Sequence, residues 1–229
     1  MEITIAENWS EITLEQYMRF YKAIKPYEKT DKYNKKILES AIYYFCGVSA
    51  DVYNKLPEKV FTEISNDMLD LIEKSKTQKL VLSFELFDQK YGFIPSLDDI
   101  SYGEYVDLTT YSKDTWDNIA LIMSILYRPI TEQKGDKYNI EPYNGTVDSR
   151  VELFNKKLTM DVVFGALAFF LTLRMDLLTA TLDYSINNLK KLSQKDMKLI
   201  HILEKNGVAI SQLQHLQEMM SSNSMTSQD

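Results

Sequence analysis

The chain has 229 residues with 45% hydrophobic and 26% charged side chains, enough to bury a full core and too apolar for a disordered protein. Its 26 Lys and Arg stand against 33 Asp and Glu, a formal net charge of -7, which is the wrong sign for tracking nucleic-acid phosphates through bulk charge. One cysteine, Cys46, permits no internal disulfide, and no charged segment followed by an apolar run opens the chain, so secretion is not expected.

Residues 2–6 alternate and read as a short extended lead. Thr13 and Gln16 form a capping box, and Leu14, Tyr17, Met18 and Tyr21 follow at helical spacing until Pro26 stops the pattern. Ile37, Ala41, Tyr44 and Phe45 build a second stripe ended by Gly47. Residues 49–55 and 57–76 read as two further helices, the latter with Pro57 in its first turn. From Lys79 the period changes to two, with Leu80, Leu82, Phe84 and Leu86 on one face, and residues 89–92 read as the turn of a hairpin spanning about 79–95.

Ser101 and Glu104 form a second capping box, and a helix starting at Asp114 or Thr115 runs until Arg128 and Pro129 end it. Residues 131–147 contain Gly135, Pro142 and Gly145, a turn-rich stretch with room for a short hairpin. Residues 160–186 read as a nearly uninterrupted helix, buried all round, in which Gly165 and Ala166 permit close approach of a neighbour. Ser193 caps an amphipathic segment to Met220, and residues 221–229 form a polar tail.

Residues 9–18 align with 97–106: Glu11 with Asp99, Ile12 with Ile100, Thr13 with Ser101, Gln16 with Glu104 and Tyr17 with Tyr105. Capping chemistry alone makes such starts resemble each other, but the apolar helix following each copy favours duplication. The expected fold is therefore mainly α: a single helical domain, residues 1–192, built from two similar units (about 8–76 and 97–186) joined by the β-hairpin. A C-terminal amphipathic helix, 193–220, follows.

Positive signs of chemistry are missing from the sequence. His201 and His215 lie on the helical tail without neighbouring ligands, Cys46 sits on an apolar stripe, and the glycines are isolated. Asp98 with Asp99, or Asp67 with Asp70, sit where a helix dipole or a polar face explains them. No catalytic, metal-binding or cofactor-binding residue is assigned, no cofactor is expected, and the chain reads as a non-enzyme. The apolar run 162–173 has twelve residues, short of the roughly 20 that cross a bilayer. The stripe that includes Ile210, Leu213, Leu216 and Met220 either packs on the core or faces a partner.

The segments WSEITLEQY (9–17), DISYGEYVD (99–107), ILYRPI (125–130) and YNIEPYNG (138–145) together resemble small proteins of tailed-bacteriophage structural modules. Similar sequences are tail assembly chaperones or baseplate-hub assembly proteins, and the resemblance covers roughly residues 8–180. It implies a helical, non-enzymatic protein that holds an aggregation-prone tape-measure protein until tail-tube subunits polymerise around it. The implied partners are phage structural proteins of the tail or the portal and connector region, with self-association a further option and neither nucleic acid nor membrane involved. The implied location is the host cytoplasm during assembly. The alternative is a permanent virion component such as a connector, hub or packaged protein. Candidate partner-binding residues are Ile210, Leu213, Leu216 and Met220 on the tail stripe, with Tyr127 and Arg128 in the 125–130 motif.

Overall fold

The computed structural model describes residues 4–96, 100–145 and 148–170. Helices α1 (Leu14–Ile24), α2 (Tyr33–Cys46), α3 (Ala50–Tyr53) and α4 (Glu58–Lys74) come first, followed by strands β1 (Ser83–Leu86) and β2 (Gln89–Phe93). Helices α5 (Tyr102–Tyr111) and α6 (Ile119–Leu126) precede β3 (Tyr127–Lys134) and β4 (Lys137–Ile140). Next come α7 (Asp148–Lys157) and the helical residues 160–170, here α8.

Both capping boxes are present. The Thr13 hydroxyl accepts the Gln16 N–H while the Gln16 amide oxygen accepts the Thr13 N–H, and Ser101 and Glu104 make the same reciprocal pair. Helix α1 then buries Leu14, Phe20, Tyr21 and Ile24, and α4 buries Ile64, Met68 and Leu71. Gly47 closes α2 with φ of 67°, a left-handed conformation that a Cβ would strain.

The described chain is mostly helical, but its sheet is larger than one hairpin. Four antiparallel strands run in the order β1-β2-β3-β4, so the second half of the chain supplies two of them. Arg128 and Pro129 do not stop a helix at a loop. Helix α6 ends at Leu126 and passes directly into β3, where Tyr127, Arg128 and Pro129 pair with Phe93, Gly92 and Tyr91. The reason is local: Pro129 cannot continue a helix and pushes Arg128 to extended backbone, while Tyr127, Ile130 and Thr131 suit a pleated sheet, so the chain leaves α6 directly into β3.

The first turn also differs from expectation. Residues 89–92 are strand, and the reversal is made by Phe87 and Asp88 at φ of 50° and 62°. Neither is glycine, so this tight turn carries no Asn-Gly signature. Gly92 instead permits a close approach: a Cβ there would stand 2.4 Å from Tyr138 Cε2. The Tyr138 ring crosses from β4, and its hydroxyl lies 2.9 Å from both Leu82 O and Phe93 O.

One apolar cluster joins all these parts. The Trp9 ring packs edge-on against Phe164 at 4.8 Å and Phe45 at 5.7 Å, and Tyr17 meets Trp116 at 5.1 Å. Backbone bonds Leu14 N–H to Leu158 O and Met160 N–H to Ile12 O tie the entry of α1 to the α7–α8 junction. In α8, Val162, Val163, Phe164, Ala166 and Leu167 are buried, and a Cβ on Gly165 would lie 2.2 Å from Lys79 O. The expected continuation to residue 186, the amphipathic segment 193–220 and the tail lie outside the described residues.

Candidate protein-binding surface

Helix α5 turns part of its apolar surface outward. Its one buried residue is Glu104, whereas Tyr102 is 82% exposed, Tyr105 55% and Val106 38%. Those three occupy positions i, i+3 and i+4 and therefore share one face. In the aligned α1 the equivalent face is turned inward, so the repeated cap starts two helices with opposite packing.

The cause is an ion pair. Glu104 Oε1 accepts from Arg128 Nη2 at 2.5 Å, and both side chains are buried. Glu104 thus caps α5 with one oxygen and holds it to β3 with the other. Asp107 accepts from the Tyr143 hydroxyl, whose ring also lies under Arg128 with 5.7 Å between the guanidinium carbon and the ring centroid. Arg150 pairs with Glu141 and donates to Ser124 O. Burial lowers the Arg128 guanidinium from its ordinary value, and the Glu104 carboxylate opposes that shift. Arg128 Nε and Nη1 have no hydrogen-bond partner among the described residues. Leu108 and Tyr111 pack against the edge of the core beside this ion pair, while Tyr102, Tyr105 and Val106 are left facing outward.

The expected contact residues Tyr127 and Arg128 sit inside this anchor. The Tyr127 hydroxyl donates to Val81 O at 2.8 Å and its ring packs on Phe84 and Phe93, so neither residue offers a surface to a partner. Ile210, Leu213, Leu216 and Met220 lie outside the described residues. An arginine inside the apolar run 125–130 is itself a sequence signal, because a buried guanidinium needs a counter-charge. Its partner Glu104, 24 positions earlier, leaves no such signal.

A second feature is an aromatic cleft of about 80 Å³ lined by Trp9, Tyr17, Tyr21, Tyr33, Trp116 and Phe164. Ligand pockets run from roughly 300 Å³ upward, so this one suits ordered water rather than a substrate. Trp9 Nε1 and Trp116 Nε1 have no protein partner among the described residues, which fits that use. Cys46 is half-buried with its sulfur 3.5 Å from Met68 Sδ, and burial pushes its thiol pKa up, away from a nucleophile's.

Comparison with known proteins adds no family. No family model matches the chain, and neither a curated protein nor a solved structure shows significant similarity to it. Among the described residues no helix is long and apolar enough to cross a membrane, and no group of three His, Cys, Asp or Glu is placed to hold a metal ion. The arrangement offers an aromatic helical face on a charge-anchored support.

Proposed function

We propose that the chain is a non-enzymatic morphogenesis factor of a tailed bacteriophage, similar to a tail assembly chaperone, that binds another structural protein. The observation that carries the reading is α5, on which Tyr102 and Tyr105 face solvent while the one fully buried side chain, Glu104, is held in an ion pair. Tyrosine suits reversible contacts, since a large amphipathic ring buries much area while fixing few torsions. The sequence resemblance supplies the partner class: an aggregation-prone, elongated structural protein of the tail. The stripe of Leu213 and Leu216 belongs to the same proposal as a second contact.

Co-expression with the tape-measure protein of the phage that encodes this chain tests the reading. The wild type keeps that protein soluble, whereas Tyr102→Ser with Tyr105→Ser loses the effect while the factor itself stays folded. Mass spectrometry of purified particles is the second arm. Stoichiometric presence there would replace the chaperone reading with that of a permanent virion component.

A further inference from the structure

The sheet has two edges, and they are treated differently. The β4 edge carries Lys137, and a bulge between Ile130 and Glu132 disturbs the β3–β4 ladder behind it. Such devices keep an edge from pairing with another chain. Strand β1, Ser83-Phe84-Glu85-Leu86, is equally short and carries one charge, Glu85, but has no Lys, Pro or bulge. Two large exposed apolar side chains flank it, Leu82 at 60% and Phe87 at 74%.

The register fixes which backbone groups are free. Phe93 N–H bonds Leu82 O, so the hydrogen-bonded pairs alternate as Leu82 with Phe93, Phe84 with Tyr91 and Leu86 with Gln89. Ser83 and Glu85 therefore point their N–H and C=O outward. Phe87 adds a second oddity: a bulky residue at positive φ, a conformation costly in backbone energy, holds its ring out at the hairpin tip.

We infer that β1 is a self-pairing edge, at which a second copy of this chain adds its own β1 antiparallel across a two-fold axis to give a continuous eight-stranded sheet. One register satisfies all the exposed groups. Ser83 pairs with Glu85 of the second copy and Phe84 faces its own counterpart. Leu82 then meets Leu86 and Val81 meets Phe87. Of the two neighbouring registers, shifted by two residues, one stacks Glu85 on Glu85 and is disfavoured by like charge, and the other sets Glu85 against Val81, whose carbonyl already accepts from the Tyr127 hydroxyl. The chosen register also brings Asp88 of each copy toward the Lys79 end of the other. Four backbone hydrogen bonds and three kinds of apolar contact make a small interface, so association is weak and concentration-dependent.

Sedimentation velocity on the full chain over a concentration series tests the inference. A reversible monomer–dimer equilibrium is expected, and a wild type that stays monomeric at the highest concentration overturns it. Glu85→Pro removes an outward N–H while leaving the β1–β2 ladder intact, and it should abolish the dimer with the circular dichroism unchanged. Phe87→Asn gives an independent arm that does not depend on tolerance of proline. Asparagine accepts positive φ, so the variant should melt at or above the wild-type temperature while dimer affinity falls at least tenfold. A dimer that survives either folded variant places the interface elsewhere and refutes the inference.

Discussion

At Arg128, two opposing electrostatic effects have to be weighed. Burial disfavours the charged guanidinium, and the 2.5 Å contact with Glu104 favours it. Removing one partner leaves the other charge uncompensated, which costs about 3 to 5 kcal/mol in comparable buried pairs. Arg128→Ala should therefore lower stability by that amount in urea unfolding, and Glu104→Gln, which keeps size and some capping, by less. The neighbouring tyrosine gives a pH test. Burial pushes the Tyr127 and Tyr17 hydroxyls well above their ordinary 10.0, and Tyr21 up to about 12. The native state thus keeps phenol protons that the unfolded chain releases above pH 10. Stability should be intact below pH 10 and fall as pH rises through 11 and 12. Tyr127→Phe should flatten that fall while costing about 1 kcal/mol at neutral pH through the lost bond to Val81. An alkaline slope identical in the two proteins would show that Tyr127 titrates normally.

Among the elements, α8 and α5 show how far pattern reading reaches. The apolar run from Val162 implies a buried helix, and its glycine implies a close neighbour. The neighbour is the backbone of Lys79, which only the three-dimensional path reveals. Since backbone cannot swing aside, Gly165→Ala should destabilise by about 1 to 3 kcal/mol or more. Phe164→Ala should cost about 3 to 5 kcal/mol, because Phe164 is buried against Trp9 and Tyr17. Phe169, further along the same helix, is only half-buried and is the weaker probe. For α5, the capping box announces the start of the helix but not its orientation. That is set by a long-range ion pair which periodicity cannot register. Tyr102→Ser with Tyr105→Ser should change stability by less than about 0.5 kcal/mol despite removing two aromatic rings, as expected of side chains that leave solvent only on binding. Thermal melting of the double variant decides this, and a large loss would mean that the tyrosines support the fold.

For the whole molecule, the legible part was the order of helices in the first half, where caps, Pro26 and Gly47 punctuate a 3.6-residue period. The sheet was half legible. Its second hairpin is marked by Gly135 within the turn-rich stretch 131–147, but β3 begins earlier, directly after the apolar helix at Leu126 and Tyr127, where no turn residue marks the change. How the parts close on one another was not legible, because the contacts joining the N-terminus to residues 158–164 span almost the entire described chain. Those contacts make a strong prediction about cooperativity. Trp9 precedes the first helix yet packs on Phe164 of α8, and Met160 N–H bonds Ile12 O. The first repeat-like unit therefore completes its core with residues 158–164, and among the described residues the two units share that core. Calorimetry should show one transition whose van't Hoff and calorimetric enthalpies agree. Trp9→Ala should move that whole transition down, by about 3 to 5 kcal/mol, without splitting it. A fragment ending at residue 78, lacking Phe164 and the strands, should show no cooperative unfolding. Two resolved transitions, or a cooperatively folded fragment, would mean that the two units are autonomous and that the contacts of Trp9 are incidental.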